Sequence, residues 1–228
     1  MEEELERRGI RIPDQTGRTL SRLKRLIDER GPDGLVLLGD VKHQVPYAER
    51  WERRKVFRLL DELLGLLPVT IVTGNHDGGM ARMAPEGVRL VGSLVIGDAG
   101  LVHGHSWPPE KAMRCKTLVM AHTHPSVTLW DECGRPVTEA CWLRAGFLKG
   151  RTKELYEPPF PELVVMPAFA DLRSGYAVND GRGRLLGPLF RNRLVDLPHA
   201  RVYLPDGAFL GMVKDLGTKN GGCRGRPL

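Results

Sequence analysis

Four apolar runs in the first 130 residues each stop at a polar cluster, and this recurrence constrains the chain more than any other feature. Leu35 to Leu38 ends in Gly39-Asp40, and Val69 to Thr73 ends in Gly74-Asn75-His76-Asp77. Leu101-Val102 leads into His103-Gly104-His105, and Thr117 to Met120 leads into His122-Thr123-His124. Short apolar runs bounded by turn residues read as buried strands. Sheets of the α/β kind place their sites beyond the carboxyl ends of their strands. Four strands are therefore expected to deliver oxygen and nitrogen donors to one sheet edge. Imidazole, carboxylate and amide donors without a thiolate suit Zn, Mn, Fe or Ni better than Ca or Mg. A histidine-rich set lacking cysteine also points to catalysis rather than to a closed structural zinc.

The rest of the chain supplies a scaffold for that edge. Thr16 is placed to cap a helix to about Arg30, with Leu20, Leu23, Leu26 and Ile27 on one face, and Gly31-Pro32-Asp33-Gly34 stops it. A second amphipathic helix carries Trp51, Val56, Phe57, Leu60, Leu63 and Leu64 as its core stripe and reaches Gly65. Strand, helix and strand with short connections predict a parallel sheet covered by helices. Beyond residue 86 helices are expected to vanish, and short strands are expected at 88–91, 94–96, 101–102, 117–120, 127–130 and 163–166. Pro205-Asp206-Gly207 signals a late hairpin. The expected product is an α/β sandwich forming one domain over residues 1–216, with an unpacked tail at 217–228.

Composition removes several classes. With 41% hydrophobic and 27% charged residues the chain can bury an ordinary core, and no apolar stretch reaches the roughly 18 residues of a membrane span. The acidic start Met1-Glu2-Glu3-Glu4 does not resemble an export signal, so a cytoplasmic protein is expected. The four cysteines form no CxxC pair and are expected to stay reduced. A net charge of +6 is compatible with a phosphate-bearing partner. Arg50, Arg53, Arg54 and Arg58 read as a solvated helix face rather than a surface for a phosphate backbone.

Gly39-Asp40, Gly74-Asn75-His76-Asp77, His103-Gly104 and His122-Thr123-His124 resemble, in order, the second to fifth motifs of the calcineurin-like metallophosphoesterases. Leu-Gly-Asp-Val-Lys-His at 38–43, Ala-His-Thr-His-Pro at 121–125 and Val-Met-Pro-Ala-Phe at 165–169 resemble the archaeal and DNA-ligase-associated branch. The resemblance implies two mixed sheets flanked by helices. It implies a site in which Asp40 bridges two divalent metals about 3.5 to 4 Å apart, a pair that lowers the pKa of a bound water and clamps the oxygens of an in-line displacement. Asn75, His103 and His122 resemble the other ligands of one metal, and His124 resembles a ligand of the second. His76 matches the residue that contacts phosphate and assists the leaving oxygen, with Asp77 as its orienting carboxylate. His43 and His105 match no ligand position and are expected beside the metal shell, while His199 receives no role.

The implied activity is hydrolysis of a phosphodiester by metal-bound hydroxide, with nucleic acid among the candidate substrates and no membrane partner. In one respect the sequence departs from the family. The first motif, Asp-X-His at the end of a first strand, does not precede Gly39, and Glu2 to Gly9 resembles the stretch just after that motif in relatives. The expectation is a chain that opens just after the motif, with one metal position whole, the other half built, and activity impaired. The alternative is a non-catalytic module of the same fold that binds one metal.

Overall fold

The computed structural model describes residues 15–42, 48–170, 175–180 and 185–217. The expectations for the opening segment, for His43 and for the tail after Gly217 lie outside these residues. The described residues form two compact units, and the chain passes between them several times. The first takes residues 15–37, 41–42, 48–71 and 76–90. The second takes 38–40, 72–75 and the described residues from 91 onward.

In the first unit, helix α1 (Gln15–Arg30) buries Leu20 and Leu23. It begins one residue before Thr16, which therefore sits inside the first turn instead of capping it. Gly31 closes the helix in a left-handed conformation, φ 54°, with its N–H donating to Ile27 O at 2.8 Å. Helix α2 (Arg50–Leu64) turns Val56, Leu60 and Leu63 toward the α1 leucines. Phe57 is 47% exposed, contrary to its place in the expected core stripe, because one residue's rotation carries it off the Val56–Leu60–Leu63 face. Lys24 of α1 pairs with Glu62 of α2 at 2.8 Å.

Strands β1 (Leu35–Leu37) and β2 (Val69–Val72) are parallel, with Leu37 opposite Ile71, and β3 (Arg89–Val91) completes a sheet of order β1-β2-β3. Val69 and Ile71 join the helix leucines in one core. The parallel register brings the ends of β1 and β2 side by side, which is where Gly39-Asp40 and Gly74-Asn75 emerge.

The second unit is built on a seven-stranded mixed sheet of order β13-β12-β9-β10-β6-β5-β4. Its strands are β4 (Leu94–Ile96), β5 (Ala99–Val102), β6 (Thr117–Met120), β9 (Trp142–Ala145), β10 (Glu162–Val165), β12 (Arg201–Tyr203) and β13 (Phe209–Met212). Central strands β5, β6 and β10 run parallel, with Val102 opposite Met120 and Met120 opposite Val165. That register sends His103 and His122 off the same edge. A further sheet, β11-β7-β8, combines β7 (Pro125–Trp130), β8 (Pro136–Ala140) and β11 (Tyr176–Ala177).

Alternation places Leu118, Met120, Leu143, Leu163, Val165 and Val202 in one buried layer with Ala112, Met113, Val127 and Leu189. The expected hairpin at 205–207 joins β12 to β13, with Leu204 N–H donating to Ala208 O at 2.9 Å. Helices do not vanish after residue 86. Three helices of four residues, α3 (Glu110–Met113), α4 (Lys149–Thr152) and α5 (Pro188–Arg191), flank the sheet and place Ala112, Met113 and Leu189 in its core. One turn is too short to show a 3.6-residue period. Mixed α/β architecture with helix-flanked sheets is as expected, and no sheet among the described residues closes into a barrel.

Candidate metal centre

His103 follows β5 directly and is 2% exposed. Its Nδ1 lies 2.7 Å from the backbone carbonyl of Leu38, the residue after β1. A carbonyl oxygen only accepts, so Nδ1 carries the proton and Nε2 presents its lone pair. That lone pair faces Asp40 Oδ2 at 3.4 Å and His122 Nδ1 at 3.2 Å. Donor atoms of Asp40, His103 and His122 all lie within 4.8 Å of one another. Ligands about 2.1 Å from a tetrahedral ion stand about 3.4 Å apart, so the spacing fits a shared cation. A backbone carbonyl behind a ligating imidazole is a usual outer support for such a site.

The glycines of Gly39-Asp40 and Gly74-Asn75 are required by contact as well as by turn geometry. Gly39 has φ 83°, and a Cβ on it would lie 2.3 Å from His103 Nδ1 and 2.9 Å from Gly74 Cα. On Gly74 a Cβ would lie 2.3 Å from Asp40 Oδ1. Four non-glycine described residues have positive φ: Asp40 at 54°, His122 at 64°, His124 at 44° and Arg193 at 54°. Three of them are residues that the sequence marks as metal ligands. Left-handed backbone costs an L-residue about 1–2 kcal/mol, and such strain concentrates at functional sites.

Residues 12–145 match the family model for calcineurin-like phosphoesterases. The chain belongs to that family. No curated protein matches it. Among solved structures it resembles the crystal structure of Pseudomonas putida nuclease MPE, at 20% identity and a TM-score of 0.55, covering 86% of this chain and 78% of that one. At this identity the likeness speaks to the fold.

Within this calcineurin-like frame, burial disfavours the protonated form of His122. His122 is pushed down to about 4, first by desolvation and then by the neighbouring His103, while the Asp40 carboxylate opposes the shift. A neutral imidazole is the form that binds a cation. His105 is exposed, with its ring 5.4 Å from that of His103 and 6.2 Å from that of His122. It neighbours the trio, as does His124, whose charge also disfavours protonation of His122.

Asn75 is exposed and stands one residue beyond Gly74. His76 is half-buried and Asp77 is 4% exposed. Asp77 Oδ1 accepts hydrogen bonds from Val41 N–H at 2.9 Å and Lys42 N–H at 3.4 Å, so this carboxylate braces the segment that follows Asp40. His199 is exposed and pairs with Asp196 at 2.9 Å. Sequence reasoning missed the Leu38 carbonyl, because any residue supplies one, and it missed Thr123, which carried no signal apart from its two histidine neighbours.

Proposed function

We propose that the chain is a metal-dependent phosphoric ester hydrolase that acts on phosphodiesters. The observation that carries this reading is the fixed tautomer of His103, whose Nε2 faces Asp40 and His122 across 3.4 and 3.2 Å. These donors suit Zn, Mn, Fe or Ni, and a bound ion supplies a nucleophile at neutral pH and neutralises phosphate charge. Asp40, His103 and His122 would hold it, with Asn75 completing the set. Asp40 and His124 would begin a second position, and His76 would contact the phosphate.

Nucleic acid is the favoured substrate class. It is supported by a net charge of +6, by the motif texture of the archaeal and ligase-associated branch, and by the nuclease that shares the fold. No helix among the described residues is long and apolar enough to cross a membrane, and a cytoplasmic site of action is part of the proposal. Asp40 and His124 are the residues of these 228 that match the second metal position, and tight binding of one ion by Asp40, Asn75, His103 and His122 is part of the proposal. Turnover by this chain is accordingly expected to be weak.

Hydrolysis of bis-p-nitrophenyl phosphate with added Mn2+, beside an Asp40→Asn control, tests the reading. Metal-dependent release of nitrophenol that the control lacks supports it, and a linear duplex and a single strand as substrates extend it to nucleic acid. Stoichiometric metal binding without turnover on any of these esters replaces it with the one-metal binding module.

A further inference from the structure

Thr123 stands between two histidines with left-handed backbone, φ 64° at His122 and 44° at His124. Its N–H donates to Ala121 O at 2.7 Å, which closes a three-residue turn with His122 at the centre. Turns of this kind with positive φ are rare and strained, so something outside the turn must hold it. The Thr123 side chain is fully buried, and its Oγ1 accepts a hydrogen bond from Leu186 N–H at 2.8 Å. Gly187 packs at the same point, where a Cβ would lie 2.3 Å from Gly104 O and 3.7 Å from His122 Cδ2. Beyond the turn, the His124 carbonyl accepts from Tyr176 N–H at 3.1 Å, and a Cβ on Gly175 would lie 1.9 Å from that oxygen.

We propose that Thr123 is a positioning residue for the metal centre, whose hydroxyl, through Leu186 and Gly187, holds the turn that aims His122 Nδ1 at His103 and Asp40. The inference rests on the metal reading above and adds to it a role for residues late in the chain. Without the hydroxyl, Leu186 N–H loses its acceptor inside the protein, and the turn at His122 loses the contact that opposes its relaxation. Outer partners of metal ligands typically control affinity by 10- to 100-fold.

The test is titration of the whole chain with Co2+ alone, read by calorimetry and by the visible absorption of the bound ion. Thr123→Val keeps the branched shape without the acceptor and is expected to weaken Co2+ binding at least tenfold and to alter the absorption band. Thr123→Ser keeps the acceptor and is expected to stay within about twofold of wild type. If the valine variant does not fold, Thr123→Ala, which adds no atom, takes its place. Wild-type affinity and spectrum in the valine or alanine variant, or a serine variant as weak as either, overturns the proposal while the metal reading stands. A wild-type chain that binds no Co2+ overturns both.

Discussion

Gly39 touches the imidazole of His103, so closely that a Cβ on the glycine would lie 2.3 Å from Nδ1. The contact occupies the side of the ring that donates to Leu38, and it turns a glycine expected to shape a loop into part of the histidine's support. Gly39→Ala is therefore expected to displace His103 and abolish tight metal binding. Gly31 provides the comparison, since it is also left-handed, φ 54°, but a Cβ there meets nothing within 4 Å. Gly31→Ala should cost about 1–2 kcal/mol and leave metal binding intact. Urea midpoints and Co2+ titration of the two variants check both statements, and equal metal affinity in both would remove the steric argument.

Acid should destabilise the metal-free protein through His122. Its pKa is about 4 in the fold against an ordinary 6.5, so between these values the unfolded chain binds the extra proton. The contribution of His122 to stability is full above pH 6.5 and is lost as the pH falls toward 4. Urea midpoints in EDTA should fall between pH 7 and pH 5, and His122→Asn should flatten that part of the curve. An unchanged slope in the variant would assign the acid sensitivity to other groups.

The bonds at Asp77 separate two roles. An asparagine at 77 keeps an oxygen that can accept from Val41 and Lys42, whereas an alanine leaves both N–H groups without it. Asp77→Ala is expected to lose about 1–3 kcal/mol of stability and much of its metal affinity, with Asp77→Asn closer to wild type in both. If the carboxylate acts chiefly by orienting His76, both variants lose turnover alike and keep their metal.

The sequence displays the parts of this site that depend on strand ends. Apolar runs such as Leu35 to Leu38 and Thr117 to Met120 have to be buried, and the polar residues that interrupt them cannot follow, so Asp40 and His122 are visible where the strands stop. Contacts between distant residues leave no such mark. Leu186 is an ordinary leucine in sequence, and its N–H finds Thr123 only because the chain returns there 63 residues later. The helix Glu110–Met113 escapes notice because a single turn shows no period, and β8 because it is exposed at every position. Phe57 reads as core because a helical stripe taken from sequence has soft edges.

The bond from His103 to Leu38 spans 65 residues, and the bond from Leu186 to Thr123 spans 63. Both loops must close before His103 is oriented and the His122 turn is held, and the entropy of closure is recovered only as the strands between them pair. During synthesis, both histidines leave the ribosome long before Leu186 does. A nascent chain therefore carries imidazoles without the geometry proposed to select a cation, and tight binding at that site is expected only after the late segments have come back to meet the early ones.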